Sequence, residues 1–359
     1  MLTIGVVFGG CSVEHEISIL SALQVMASID KAKYKVIPIY LTKNNTFTVG
    51  KNFDKLETFE KGPKTKAVTF SKDTISRPFY KKKLDCVISC VHGKGVEGGE
   101  LAGFFEINNI PYTSIGVLGA SLGQDKILFK DVLKAHNVDV VPYYGFSLHQ
   151  WKNEKETVLE NIDKLQYPLI IKASSLGSSI GINRVKTKDE LENAIIGVLK
   201  YDDRVLAEEM IEDFTEYNCS IIGLDTLSLI EEVTTENDIL TFSDKYEGTL
   251  KAKRVIPAKI SSLLEEKIYE LTKLIANLIN NKGVIRIDYL FDIINEALYV
   301  NEVNTIPGSF AYYLYEGKGI YFDDLIDSLI KEAIKVHHFK NQLINTFTSN
   351  VLNMKGIKK

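Results

Sequence analysis

The chain has 359 residues, 45% hydrophobic and 25% charged, the proportions of a soluble globular protein long enough for two or three domains. Its 43 basic and 47 acidic residues leave a net charge of −4, which excludes any overall pull toward nucleic acid or an anionic membrane and points to small-molecule partners. No apolar run approaches a membrane span, the N-terminus opens into a strand and not a signal peptide, and the cysteines lack zinc spacing, so a cytoplasmic protein without a disulfide framework is expected.

The first part of the chain alternates strands and helices. LTIGVVFG, KVIPIYL and LDCVISCV read as strands, a helix is predicted around Glu14 to Ala27, and another begins at Glu100, the pattern of βαβ units wrapped on a parallel sheet. Ile17, Leu20, Leu23 and Met26 fall at helical spacing and are expected to face the core, and Cys86 and Cys90 read as buried thiols on one strand face. A long helix near Gly119 to His136 leads into an α+β unit: strand VPYYGFSL, helix NEKETVLENIDKL, strand PLIIKAS, a glycine-containing loop, INRV and helix KDELENAIIGVLK. The third region carries RVLAEEM, EYNCSIIG and LSLIEEVT, the polar stretch Thr235 to Arg254, helix SSLLEEKIYELTKLIANLI and a hairpin. The polar stretch is expected to be a mobile loop, and the basic end from about Asn341 to Lys359 an appendage.

Three places carry chemistry. His92 ends a strand ahead of Gly93-Lys94-Gly95-Val96-Glu97-Gly98, which matches GxGxxG and invites a dinucleotide-binding reading. That match is read as accidental, because it lies on a late strand, Glu97 would sit against the pyrophosphate, and no acidic residue follows about twenty positions on to take a ribose. His92 itself stands where open α/β sheets bind ligands, at the carboxyl end of a strand. Next, the loop Ser174-Ser175-Leu176-Gly177-Ser178-Ser179-Ile180-Gly181 offers hydroxyls and close backbone approach to phosphates or a substrate amine, with Lys172 at the end of the preceding strand; it lacks the ending of a P-loop.

The third place is the hairpin. GVIRIDYLFD and ALYVNEVNT are β-branched and aromatic runs separated by IINE, so antiparallel pairing about Asn295 sets Asp288 opposite Glu302 and Arg286 opposite Asn304. These four side chains share one face while Ile287 and Val303 pack on the other. Two carboxylates and an amide carbonyl are the hard oxygen ligands that Mg²⁺ prefers when it keeps positions open for water and substrate phosphate.

In order along the chain, FGGCSVEHEIS, HGKGVEGGELAGFFE, GASLGQDK, KASSLGSSIG, EEMIEDFTEYNCSIIG, SDKY, RIDYLFD and NEVNTIPG resemble the D-alanine-D-alanine ligase family of ATP-grasp enzymes, which includes D-alanine-D-serine and D-alanine-D-lactate ligases. The resemblance implies an ATP-grasp fold of the α/β class, with an N-terminal Rossmann-like open sheet (1–116), a central subdomain (117–205), an α+β catalytic C-terminal domain (206–340) and an extension (341–359). It makes Asp288, Glu302 and Asn304 the ligands of two Mg²⁺ ions, with Mn²⁺ as the alternative metal. Lys126, Lys172 and Lys245 would hold ATP phosphates, Glu208, Met210 and Ile211 would surround the adenine, and Glu216 would bind the ribose. Glu14 and Ser178 match the pair that orients the first D-alanine, His92 and Glu97 the residues behind it, Tyr246 the closing loop, and Arg286 with the Gly308 amide the oxyanion hole.

The implied reaction is formation of D-alanyl-D-alanine for peptidoglycan precursors: ATP phosphorylates one carboxylate, and a second amino acid's amine displaces phosphate through a tetrahedral intermediate. A loop such as Thr235 to Arg254 would close to keep the acyl phosphate dry. Lys245-Tyr246 resembles ligases that use an amine acceptor, whereas lactate-using relatives carry histidine there. Two positions depart from the family pattern: Tyr313 stands where a serine commonly holds the second carboxylate, and Gly98 where aspartate is usual. D-alanine-D-serine ligation is the alternative within the class, and a non-catalytic nucleotide-binding relative or a dinucleotide-dependent oxidoreductase lies outside it. A homodimer is the implied assembly.

Overall fold

In the computed structural model, residues 1–177, 181–234 and 253–349 are described. Strand Leu2–Gly9 is buried from Ile4 onward, as a strand covered on both faces must be, and it pairs in parallel with Tyr34–Leu41 on one side and Cys86–Ser89 on the other. Two short antiparallel strands, Phe47–Val49 and Lys66–Ala67, extend this sheet beyond Tyr34–Leu41, so the predicted parallel sheet is mixed at one edge. A separate three-stranded meander (Thr69–Ser71, Thr74–Arg77, Tyr80–Lys83) lies outside the expected pattern.

Helix His15–Ser28 follows the first strand, and of the predicted apolar stripe Met26 is buried and Leu23 packs against the core, but the rest of its inner face differs. Ser18, Ile19, Ala22, Val25 and Met26 face the core, whereas Leu20 is 45% exposed. Small residues on the inner face let the helix lie close to the sheet, and Ser18 Oγ satisfies backbone groups there, accepting from Gly9 N and donating to the Cys90 carbonyl. Cys86 and Cys90 are buried free thiols as expected, and all four cysteines are unpaired.

The long helix predicted over Gly119 to His136 is two helices, Val117–Gln124 and Lys126–Ala135, broken at Asp125. The Asp125 backbone is extended, and its carboxylate caps the second helix by accepting from the Ile127 and Leu128 amides. The same carboxylate takes Ser174 Oγ at 2.7 Å and Arg204 at 2.5 Å, so anchoring to the central sheet competes successfully with helix continuation.

Tyr143–Ser147, Leu169–Ala173, Asn183–Val185 and Arg204–Glu209 form an antiparallel sheet flanked by helices Lys155–Ile162 and Lys188–Val198. Phe214–Ile222, Thr226–Leu227, Glu231–Thr234, Lys253–Val255, Val284–Asp292 and Ala297–Asn304 form the third sheet, backed by helix Ser262–Leu278. Among the described residues three hydrophobic cores result, one for each of the larger sheets, and Ile75 of the meander joins the first. Helix Phe322–Gln342, absent from the predicted elements although its apolar residues recur at helical spacing, leaves the third sheet and packs Leu325, Ile326, Leu329 and Ile330 into the core of the first. Beyond it, residues 343–349 adopt no helix or strand; the rest of the predicted appendage, 350–359, and most of the predicted loop, 235–252, lie outside the described residues. Among the described residues no helix is long and apolar enough to cross a membrane.

Candidate active site

The hairpin forms one wall of a cleft. Asp288 pairs with Glu302 and Arg286 with Asn304, as the periodicity predicts, and Ile287 and Val303 are buried in the core beneath. The pattern alone does not predict a β-bulge: Tyr289 pairs with Val300 while Asp288 pairs with Glu302, which leaves Asn301 between them. By absorbing one residue the bulge keeps Glu302 on the face of Asp288, where an unbroken register would turn it toward the core.

The cleft, 240 Å³ in volume, is lined by nine of the predicted site residues, Glu14, His92, Glu97, Lys126, Glu216, Arg286, Glu302, Asn304 and Gly308. Asp288 does not line the cleft but is buried behind Arg286 and Asn304, where Arg286 Nε and Nη2 donate to its two oxygens at 2.7 and 2.8 Å and Asn304 Nδ2 adds a third bond at 3.0 Å. Lys126, on the helix that Asp125 caps, reaches Glu302 at 3.2 Å and donates to the Leu176 carbonyl at 2.8 Å, joining the acidic face to the serine-rich loop. That loop is tied down further by Gln124, which donates to the Ser175 carbonyl, and by Asp202, which accepts from the Ser175 amide at 2.8 Å and from Lys94 at 2.7 Å.

Glu14 enters the cleft between two glycines. A Cβ on Gly93 would stand 2.7 Å from Glu14 Oε2, and one on Gly177 3.1 Å from the same atom, so any larger residue at either position would push the carboxylate away. Behind it, His92 is buried with Nε2 2.9 Å from Ser21 Oγ, and burial pushes its imidazole down to about 4. Glu97 accepts from the amides of Gly93 and Ile306, both at 2.9 Å, and from Thr305 Oγ1 at 3.0 Å. Burial, with the charge of Glu14 adding to it, nevertheless pushes Glu97 up to about 7. The GxGxxG segment thus works as a clamp between the first sheet and the loop after the hairpin, not as a pyrophosphate cradle.

Lys172, Glu208, Met210 and Ile211 belong to the central sheet and its edge and do not line this cleft. Glu208 is buried between two lysines, with Lys172 at 2.7 Å and Lys130 at 2.5 Å. Burial alone would raise the Glu208 carboxyl, but the two ammonium groups outweigh it and hold it below the ordinary carboxylate range, while burial pushes the Lys130 ammonium down. Ser178, Lys245 and Tyr246 lie outside the described residues.

Four polar residues at or near the cleft are not singled out by their sequence motifs. Lys130 sits one helical turn beyond Lys126 and shares its inward face, a spacing that is available as a signal. Asn218 and Glu231 face the cleft side of the third sheet, and Glu216, Asn218 and Ser220 alternate along one strand, a period-two polar run that marks a functional face. Arg254 reaches that face from Lys253–Val255, a strand whose pairing only the fold reveals. Among the described residues the buried Asn218 Oδ1 finds no hydrogen-bond donor, an omission that costs about 1–3 kcal/mol unless a ligand supplies one.

Among the described residues no cluster of three or more His, Cys, Asp or Glu forms a closed metal cage. The donor set fits Mg²⁺ all the same, since two carboxylates on one face are each held by a cation here, Asp288 by Arg286 and Glu302 by Lys126, and Mg²⁺ takes few protein ligands and completes its shell with water and phosphate.

Residues 3–115 match the model of the D-ala D-ala ligase N-terminus, and residues 132–331 that of the D-ala D-ala ligase C-terminus. A D-alanine--D-alanine ligase of Thermosipho melanesiensis is 35% identical over 370 residues, covering 99% of this chain and 99% of its own. One from Natranaerobius thermophilus is 34% identical, covering 97% and 99%. Among solved structures, the VanG D-Ala:D-Ser ligase from Enterococcus faecalis superposes with a TM-score of 0.80 at 29% identity over 92% of this chain and 99% of that one. The D-alanine-D-alanine ligase from Coxiella burnetii gives 0.81 at 27% identity over 95% and 96%.

Proposed function

Because the chain belongs to the D-alanine-D-alanine ligase family, matched in both its N- and C-terminal parts, we propose that it joins two D-alanines at the expense of ATP, through an acyl phosphate, for peptidoglycan precursor synthesis. The observation that carries this reading is the convergence of Glu14, Lys126, Arg286 and Glu302 on one cleft, from the starts of two helices and two strands of the third sheet.

The described groups stand where such work can be done, and the family resemblance supplies the roles of the others. Glu14, held close by Gly93 and Gly177, takes the ammonium of the first D-alanine, with Ser178 as its partner and His92 and Glu97 fixing the ground behind it. Lys126, Lys172 and Lys245 hold ATP phosphates, Glu208, Met210 and Ile211 border the adenine, and Glu216 takes the ribose. The Lys130 and Lys172 contacts of Glu208 mean that an arriving nucleotide exchanges one buried ion contact for another. Two Mg²⁺ ions held by Asp288, Glu302 and Asn304 would supply charge neutralisation of the phosphates, and Mn²⁺ would serve in the same donor set. Arg286, oriented by its two-pronged bond to Asp288, presents positive charge with the Gly308 amide where the tetrahedral oxygen becomes anionic. Tyr246 and its loop exclude water once ATP is bound. The enzyme acts in the cytoplasm as a homodimer, and the residues divide into the four parts 1–116, 117–205, 206–340 and 341–359.

Glu302→Gln tests the assignment. It keeps shape and the bond to Lys126 but removes the charge, so phosphate release from ATP with D-alanine should stop while urea unfolding is nearly unchanged. Turnover within about tenfold of the parent would sink the metal face, since loss of a charge that would hold the metal is expected to cost far more.

A further inference from the structure

The row of polar side chains that begins at Glu302 continues past Asp288. Cross-strand register carries it from Glu302 to Asp288, on to Asn218 and then to Glu231, across four strands of one sheet. Glu231 is fully buried, and a buried carboxylate persists only when donors converge on it. Asn218 Nδ2 and Tyr313 Oη both donate to Oε2 at 3.1 Å, and Arg254 Nη1 donates to Oε1 at 3.2 Å. Three donors from three separate elements are thereby fixed on one wall of the cleft, and none of them is needed by the metal face.

Two of those donors keep capacity for a ligand. Arg254 is half-exposed and lines the cleft, and one of its five N–H groups is used on Glu231. The other cleft cations are engaged more fully: Arg286 lies bidentate on Asp288, and Lys126 serves both Glu302 and the Leu176 carbonyl. Asn218 contributes the buried Oδ1 for which no donor stands among the described residues, and it leans on the same carboxylate as Arg254. A half-exposed guanidinium, beside a buried amide oxygen that finds no donor among the described residues, is the complement of an α-amino acid.

Resting on the ligase reading above, we propose that Arg254 binds the carboxylate of the second, acceptor amino acid, that Asn218 Oδ1 receives its amine, and that Glu231 is the positioning residue that aims both. The acceptor class is then a small α-amino acid with a free carboxylate. Tyr313, pinned by Glu231, closes this end of the pocket against larger side chains.

The experiment compares D-alanine with D-alaninamide as acceptor, reading dipeptide mass and phosphate release at saturating ATP. The parent enzyme should prefer D-alanine strongly, and Arg254→Met should raise the acceptor KM at least about tenfold, the scale of a partly exposed charge pair, while leaving the KM for ATP unchanged. Arg254→Met should also lose the preference over the amide, and Arg254→Lys should recover part of it, which a merely structural role would not produce. Glu231→Gln should weaken acceptor binding in the same direction. An Arg254→Met enzyme with an unaltered acceptor KM overturns the proposal. So does a parent enzyme that accepts D-alaninamide as readily as D-alanine, a readout that needs no variant to fold. If the parent enzyme makes no dipeptide from D-alanine at all, it is the ligase reading that fails, and with it the premise of the acceptor seat.

Discussion

His92 and Glu97 are buried ionisable groups whose effects on stability oppose each other. Burial, reinforced by Glu14, raises Glu97 from 4.5 to about 7, so between those values the folded protein holds a proton that the unfolded chain has released, and stability falls as pH rises. Burial lowers His92 from 6.5 to about 4, so between those values the unfolded chain binds the proton, and stability rises with pH. The two slopes, each at most ~1.4 kcal/mol per pH unit, offset across the shared window. Glu97→Gln should therefore uncover stability that climbs from about pH 4 to 6.5, and His92→Asn stability that declines from about 4.5 to 7, in urea titrations at stepped pH. If both variants stay flat across these windows, the burial account of the two shifts is wrong.

The helix Val117–Gln124 shows how an element places the site. Gly119 packs against the end of helix Ser262–Leu278, where an added Cβ would meet the Ile279 carbonyl oxygen at 2.3 Å, and Gly123 packs on the hairpin, where it would meet Thr305 at 2.6 Å. Backbone cannot yield as a flexible side chain does, so Gly119→Ala must displace the helix, at about 1–3 kcal/mol. Gln124 and Lys126 follow directly, so the same variant should raise the KM for ATP; a parent-like urea midpoint and KM would show that the close approach does not matter. The break at Asp125 belongs to this scale too. Gly123, Gln124, Asp125 and Lys126 interrupt the apolar spacing there, and the Asp125 carboxylate, capping the second helix while it holds Ser174 and Arg204, divides one predicted helix into two.

At the scale of the whole molecule, the last helix matters most. Phe322–Gln342 belongs by sequence to the C-terminal part but completes the first core with Leu325, Ile326, Leu329 and Ile330. Burying four such side chains is worth ~1.5–3 kcal/mol each, which rivals the ~5–15 kcal/mol net stability of a domain. Residues 1–116 alone should accordingly fail to unfold cooperatively, and adding a peptide of residues 306–342 should restore protection from hydrogen exchange in strand Leu2–Gly9. Cooperative unfolding of the isolated 1–116 fragment would contradict this.

Period-two patterns make the hairpin legible in the amino-acid order itself, because a strand's alternation forces Arg286, Asp288, Glu302 and Asn304 onto one face whatever surrounds them. Motif order along the chain makes the family legible, and local turn chemistry marks most strands and helices. What the sequence could not decide was anything that depends on a distant partner. The inward face of the first helix is set by how closely the sheet lets it approach, the seating of the last helix by a core more than two hundred residues earlier, and the bulge at Asn301 by the need to keep two carboxylates together. The gathering of Asn218, Glu231 and Arg254 is of the same kind, since strands far apart in the chain become neighbours only when hydrogen bonding closes the sheet. Local geometry follows from neighbouring residues, whereas burial and polar satisfaction are settled only when the whole chain has folded.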